Sequence, residues 1–167
     1  AYVDLSERAI RQFHLPAFAA GVAAGAPTVM PAFTTGTGGV PMSANKHLLQ
    51  DVLRGELGFD GVLVSDYAAI TELLKHGTAA DDYQAAIQAM NDGTITVDME
   101  DGVYYAQLAK AVQDGKVPVA NLDREVLRAL AFKRKLGLFE KPYVPENLEK
   151  KVRLSPANRA AAREVAR

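Results

Sequence analysis

Hydrophobic and polar positions follow two rhythms along the chain. Three short runs are mostly apolar and rich in β-branched residues: Thr28–Phe33 (TVMPAF), Gly61–Asp66 (GVLVSD) and Thr94–Met99 (TITVDM). Apolar runs of this length, with Gly or Pro nearby, are expected to be buried parallel strands. They recur about every 33 residues, close to the length of one strand–helix–strand unit. Between them lie amphipathic stretches with the rhythm of helices. That alternation predicts an α/β architecture.

The helix boundaries carry their own signals. Asp4 with Glu7 suggests a capping box for a first helix running to about Ala24, with Gly25 beyond it. Ser43 or Asn45 is expected to cap a stretch through Leu57, and Gly58 to stop it. His76-Gly77 closes a short helix after the second strand, and another covers about Ala80–Asn91. Val103–Gln113 ends at Asp114-Gly115, and Asn121 is expected to cap a stretch to Leu136, ended by Gly137. Lys133-Arg134-Lys135 suits a helix end, where cations favour the dipole.

Beyond Gly137 the periodicity stops. Phe139–Pro145 holds two prolines and reads as a linker. Ser155-Pro156 then supplies an N-cap and an N1 proline for a last Ala- and Arg-rich helix, expected to belong to whatever follows. The chain opens on Ala1-Tyr2-Val3-Asp4 with no initiating Met, so an internal piece of a longer protein is expected. A closed (β/α)₈ barrel takes roughly 250 residues. With 167 residues and three strand candidates, the chain is expected to be a barrel slice or a small layered domain.

Composition narrows the function classes. A net charge of −1 provides no field to recruit nucleic acid or an anionic membrane. The absence of cysteine removes disulfide scaffolds, thiolate zinc sites and cysteine nucleophiles. No apolar run approaches the ~20 residues of a membrane span. His14, His47 and His76 are dispersed and read as packing, surface and helix-end residues, so neither a metal nor a cofactor is expected. Gly36–Gly39 lacks the spacing and the Lys-Ser/Thr of a phosphate-binding loop.

In parallel α/β sheets, ligands sit beyond the C-terminal ends of the strands. The residues there are Phe33 and Thr34, Ser65 to Tyr67, and Asp98 to Asp101. Asp66 follows the apolar Val62-Leu63-Val64 directly, and Tyr67 offers a flat face of the kind that packs on sugar rings. By pattern alone Asp66 equally suits the N-cap of a following helix, or an aldolase-like or metal-dependent barrel.

The run Leu48–Tyr67 (LLQDVLRGELGFDGVLVSDY) resembles the signature of glycoside hydrolase family 3, an L-L-x-D-V-L-R helix leading into a V-S-D-[WY] strand end. Further likeness lies in Asp4–Arg8 with His14–Phe18, in Val29–Phe33, in Gly39-Val40-Pro41 with Ala44-Asn45, and in Leu136–Phe139 with Pro142-Tyr143. The chain departs from the family pattern at Thr34–Gly38 and at Asp92–Glu100, where extra residues stand.

The resemblance implies an α/β fold forming part of a TIM-type (β/α) barrel, with parallel strands and flanking helices, followed by a linker. Residues 1–139 would be the C-terminal part of the barrel, 140–154 the linker and 155–167 the start of the next domain. It implies a retaining β-glucosidase acting on β-glucosides or oligosaccharides, with Asp66 as nucleophile and with Tyr67, Met30, Phe33 and Met99 at the sugar. The acid/base residue would lie beyond residue 167, and the residues gripping the sugar hydroxyls before residue 1. The implied partners are the rest of the parent enzyme or a second copy of the chain, and the implied location is periplasmic or secreted. The alternative is a non-catalytic half-barrel whose open sheet edges self-associate.

Overall fold

A computed structural model describes residues 2–167. The chain divides into two compact units, residues 1–132 and 133–167.

The first unit is built on a small parallel layer. β1 (Thr28–Val29) pairs with β2 (Val62–Leu63) in the register Thr28↔Val62 and Val29↔Leu63, and Val64 bridges Val97 in parallel on the other side. All three expected strands therefore meet in one layer, with β2 between the other two, but each is shorter than its apolar run. Pro31, with no N–H, cannot extend β1. In the third segment, Thr94 takes a left-handed φ of 48°, and the amides of Thr96 and Val97 both converge on the Leu63 carbonyl. Two donors on one acceptor break the ladder, so the expected strand Thr94–Met99 reduces to a single bridge.

The helical framework follows the expected order, with local corrections. α1 (Glu7–Ala9) runs through a wide π-turn (Ile10–His14) into α2 (Leu15–Ala23), rather than forming one regular helix. Pro16 offers no amide to the carbonyl four residues back, and the turn before it widens. The N-cap is Ser6, whose Oγ accepts from the Ala9 amide, not Asp4. Glu7 instead bonds Arg11 and His47. Asn45 Oδ1, at 2.9 Å from the Leu48 amide, caps the π-helix His47–Glu56. Gly58, at φ 69°, lets the chain turn away from that helix.

α3 (Glu72–Lys75), α4 (Asp82–Asn91, capped by Asp81), α5 (Val103–Gln113) and α6 (Val119–Lys135) complete the layer's cover. α6 starts two residues before the expected cap. Asn121 therefore lies inside it, donating to Asn91 Oδ1 and accepting from Arg124.

The core lies between β2 and the helices. Leu63, Ile70, Leu73, Ala85, Ala86, Ala89, Ile95 and Ala111 have no solvent exposure. Three alanines on α4 let neighbouring elements approach closely. Gly93, just beyond α4, is closer still: a Cβ there would sink into the carbonyl oxygen of Ser43.

The second unit begins within the last turn of α6. Gly137, at φ 70°, ends that helix, with the Leu138 amide on the Lys133 carbonyl and its own on Arg134, a Schellman arrangement. Residues 140–154, expected as a linker, contain the short α7 (Leu148–Val152). α8 (Pro156–Val165) starts as expected, with Ser155 Oγ accepting from the Asn158 amide.

Candidate active site

β2 delivers Asp66 to the C-terminal edge of the layer. Val62 and Leu63 are buried, Val64 reaches Val97, and Ser65 is wholly enclosed, so the chain surfaces at Asp66. Asp66 is partly buried, and its Oδ1 accepts from the Tyr67 amide at 2.7 Å. It does not cap a helix. Residues 67–71 form turns, and α3 starts only at Glu72. The local bond turns Oδ1 toward the chain's own backbone. Tyr67 is 60% exposed beside it.

Met99 is brought to the same place. Its amide donates to Ser65 Oγ at 2.8 Å, and its carbonyl accepts from the Ala68 amide at 3.1 Å. Asp66 and Tyr67 thus lie on a turn whose two limbs both grip the Met99 peptide. Met30 and Phe33 follow β1 at the same edge, since the Val64 amide donates to the Val29 carbonyl. Both are a little under half exposed. Met30 also lines an apolar cavity of about 310 Å³, walled by Phe18, Val29, Leu49 and Leu53 and reached by His14. Phe33, Asp66, Tyr67 and Met99 stand outside that cavity.

The segment after Val97 carries three more carboxylates, Asp98, Glu100 and Asp101. Asp98 Oδ2 accepts from the Tyr104 amide at 2.9 Å, while Oδ1 is buried without a partner among the described residues. Burial pushes its pKa above the ordinary carboxylate value, against the pull of backbone amides, and neighbouring Asp101 adds to the rise. Asp101 Oδ2 accepts from the amides of Ile70 and Thr71, at 2.9 and 3.2 Å. Those amides close the turn, just before α3 begins. Sequence reasoning placed Asp98 to Asp101 at a strand end but assigned Asp101 no task.

The remaining sequence candidates lie elsewhere. His47 joins an exposed cluster with Glu7 and Asp51, and His76 caps α3 with its ring edge-on to Tyr2. Among the described residues no group of three or more His, Asp or Glu stands close enough to hold a metal ion. No helix among them is long and apolar enough to cross a membrane.

The profile of the Glycosyl hydrolase family 3 N terminal domain matches residues 1–132. The chain belongs to glycosyl hydrolase family 3. Its match includes β1, β2, the Val97 segment and every candidate site residue. The chain is 38% identical to a periplasmic β-glucosidase of Salmonella typhimurium, over 99% of its own length and 22% of that protein. It is 40% identical to a lysosomal β-glucosidase of Dictyostelium discoideum, over 86% of its own length and 18% of that protein. Among solved structures, a mutant β-glucosidase from Listeria innocua in complex with laminaribiose superposes with a TM-score of 0.93 at 40% identity. That match covers 98% of this chain and 22% of the Listeria chain. The chain thus spans about a fifth of the length of these family 3 relatives.

Proposed function

We propose that this chain supplies the nucleophile of a retaining β-glucosidase of family 3. The observation that carries the reading is the position of Asp66 directly beyond the central parallel strand, inside the region matched by the family. In a retaining mechanism a carboxylate oxygen bonds to the anomeric carbon as the glycosidic C–O bond breaks, and a second carboxylic acid protonates the leaving oxygen. Water then attacks the same carbon, gives its proton to that conjugate base and frees the carboxylate. Oδ2 of Asp66 is the attacking atom in this reading, because Oδ1 is turned to the Tyr67 amide. Tyr67 supplies an apolar face to the sugar, Met99 borders the nucleophile, and Met30 and Phe33 extend the wall from the end of β1. No metal or cofactor takes part.

The layer is read as part of a (β/α)₈ barrel over residues 1–139, with a linker at 140–154 and the next domain beginning at 155. The acid/base group and the remaining sugar contacts come from the rest of the parent enzyme. The substrates are β-glucosides or short β-linked oligosaccharides. A periplasmic or secreted location is supported by the periplasmic β-glucosidase among the relatives.

Labelling with a 2-deoxy-2-fluoro-β-glucoside bearing an activated leaving group tests this, since that reagent needs the nucleophile but little help from the acid. The expected outcome is a covalent adduct mapped to Asp66 in the full-length enzyme, absent in Asp66→Asn. An adduct on another residue would sink the assignment.

A second reading is favoured by the outer edge of β1, which pairs with no other strand among the described residues, and by the apolar cavity beside it. In this reading the isolated chain is a folded, non-catalytic half-barrel that pairs through this edge. Size-exclusion chromatography separates the cases: a monomer at all concentrations argues against edge pairing.

A further inference from the structure

Residues 65–71 carry Asp66 and Tyr67 across the end of β2, and this turn is fastened at every limb to one stretch, residues 97–101. The Ser65 amide donates to the Val97 carbonyl at 2.9 Å. The Met99 amide donates to Ser65 Oγ at 2.8 Å, and the Ala68 amide to the Met99 carbonyl at 3.1 Å. The far limb hangs from one atom, Asp101 Oδ2, which takes the amides of Ile70 and Thr71. Between these anchors Ala68 is held at φ 53°, a left-handed conformation that an alanine adopts only when its surroundings impose it.

Asp101 is directed to this task by its own neighbours. Glu100 at φ 77° and Gly102 at φ 67° bend the chain on either side of it. An aspartate two residues before a helix would ordinarily serve that helix. Here α5 receives Asp98 at its Tyr104 amide, and Gly102 makes no side-chain cap. Asp101 is thereby free to reach across 31 positions of sequence to Ile70. Ile70 is fully buried, so the far limb is pinned to the core by its side chain and to the Asp101 segment by its backbone.

We infer that Asp101 is a positioning residue for the nucleophile: through the amides of Ile70 and Thr71 it sets the height and angle at which the turn presents Asp66. This rests on the reading of Asp66 as nucleophile. Asp101 acts as an acceptor for two amides, so asparagine keeps the function through its side-chain carbonyl, and alanine leaves both amides without a partner. A nucleophile displaced by about 1 Å costs on the order of 100-fold in rate while leaving binding largely intact.

The test compares Asp101→Ala, Asp101→Asn and wild type in the full-length enzyme, using the 2-deoxy-2-fluoro-β-glucoside and following adduct formation by mass. Expected is a fall of about 10- to 100-fold in the maximal labelling rate constant for Asp101→Ala. The reagent concentration giving half that rate should stay nearly unchanged, and Asp101→Asn should stay within a few-fold of wild type. Asp101→Ser, whose hydroxyl stops one bond short of the position of Oδ2, serves the same comparison if the alanine variant does not fold. Wild-type labelling rates in Asp101→Ala, or an equal loss in Asp101→Asn, overturn the positioning role while leaving Asp66 as nucleophile. Labelling of wild type at a residue other than Asp66, or not at all, overturns the nucleophile reading and this inference with it.

Discussion

At the scale of single residues, His47 shows how a surface group acquires a pH-dependent task. Its Nε2 lies 3.1 Å from Glu7 Oε1 and its Nδ1 3.2 Å from Asp51 Oδ2. Glu7 also accepts from Arg11, which forks onto Glu56, so the cluster ties the first helix to the π-helix His47–Glu56. The hydrogen bond to Glu7, then that to Asp51, favours the imidazolium and raises the His47 pKa above its ordinary 6.5. Because the folded-state pKa is the higher one, the protonated ring stabilises the fold. That contribution is complete below the unfolded pKa and is lost as pH rises through the folded value. The groups are about half exposed, so the effect is small and weakens with salt. An NMR titration of the His47 ring should give a midpoint above 6.5, and His47→Gln should remove the matching loss of stability on the alkaline side. A ring titrating at or below the ordinary value would dispose of the clamp.

Residue-scale legibility follows from the same logic. Asp66 could be placed at a strand end because an apolar run precedes it, while its reading as nucleophile came from the family resemblance and not from its neighbours. Asp101 could not. Its partners lie 30 and 31 positions away and are backbone amides, which leave no trace in side-chain identity.

At the scale of elements, the sequence read helix ends better than strand lengths. Asn45 and Ser155 cap where a short polar side chain before an apolar rhythm says they should, whereas the expected caps Asp4 and Asn121 give way to Ser6 and to an earlier helix start. The ends of the strands depend on which amides find carbonyls across the layer, as at Leu63, and that is decided in three dimensions. Gly93 is the clearest packing constraint of this kind. Its backbone needs no unusual φ; space alone excludes a side chain, because a Cβ would overlap the Ser43 carbonyl and crowd that of Ala89. Gly93→Ala is therefore expected to destabilise the chain by about 1–3 kcal/mol, the range for overpacking a filled site. A urea titration followed by far-UV circular dichroism checks this. A variant as stable as wild type would mean that the loop before the π-helix yields readily.

At the scale of the first unit, the two ends of the layer carry different work. Asp66, Met99 and Asp101 gather at the C-terminal ends of the strands, and a buried charge network closes the opposite ends. Arg54 donates to the carbonyls of Phe59, Gly61 and Thr94 and to Thr94 Oγ1. Glu125 on α6, 2% exposed, accepts from Thr96 Oγ1 and from Arg128, and Arg128 also holds Asp60. Arg54 Nη2 is 3.6 Å from Glu125. Burial first, then the nearby Arg128 charge, draws the Arg54 pKa down to about 10, so it remains cationic at neutral pH. Removing the one enclosed carboxylate leaves the Arg54 guanidinium without its counter-charge and Arg128 with only the exposed Asp60, and breaking a buried pair from one side costs about 3–5 kcal/mol. Glu125→Ala is expected to lose that much in a urea titration of the chain. In the full-length enzyme, at a temperature where the variant stays folded, its adduct should form on Asp66 at the wild-type rate. The network meets this strand at the Gly61 carbonyl and, through Thr96 Oγ1, at the Leu63 amide, and Val64 and Ser65 still separate that contact from Asp66. If Glu125→Ala instead slowed labelling as much as Asp101→Ala, strand and turn would be moving as one body. The division into a stabilising end and a chemical end would then not hold for this fold.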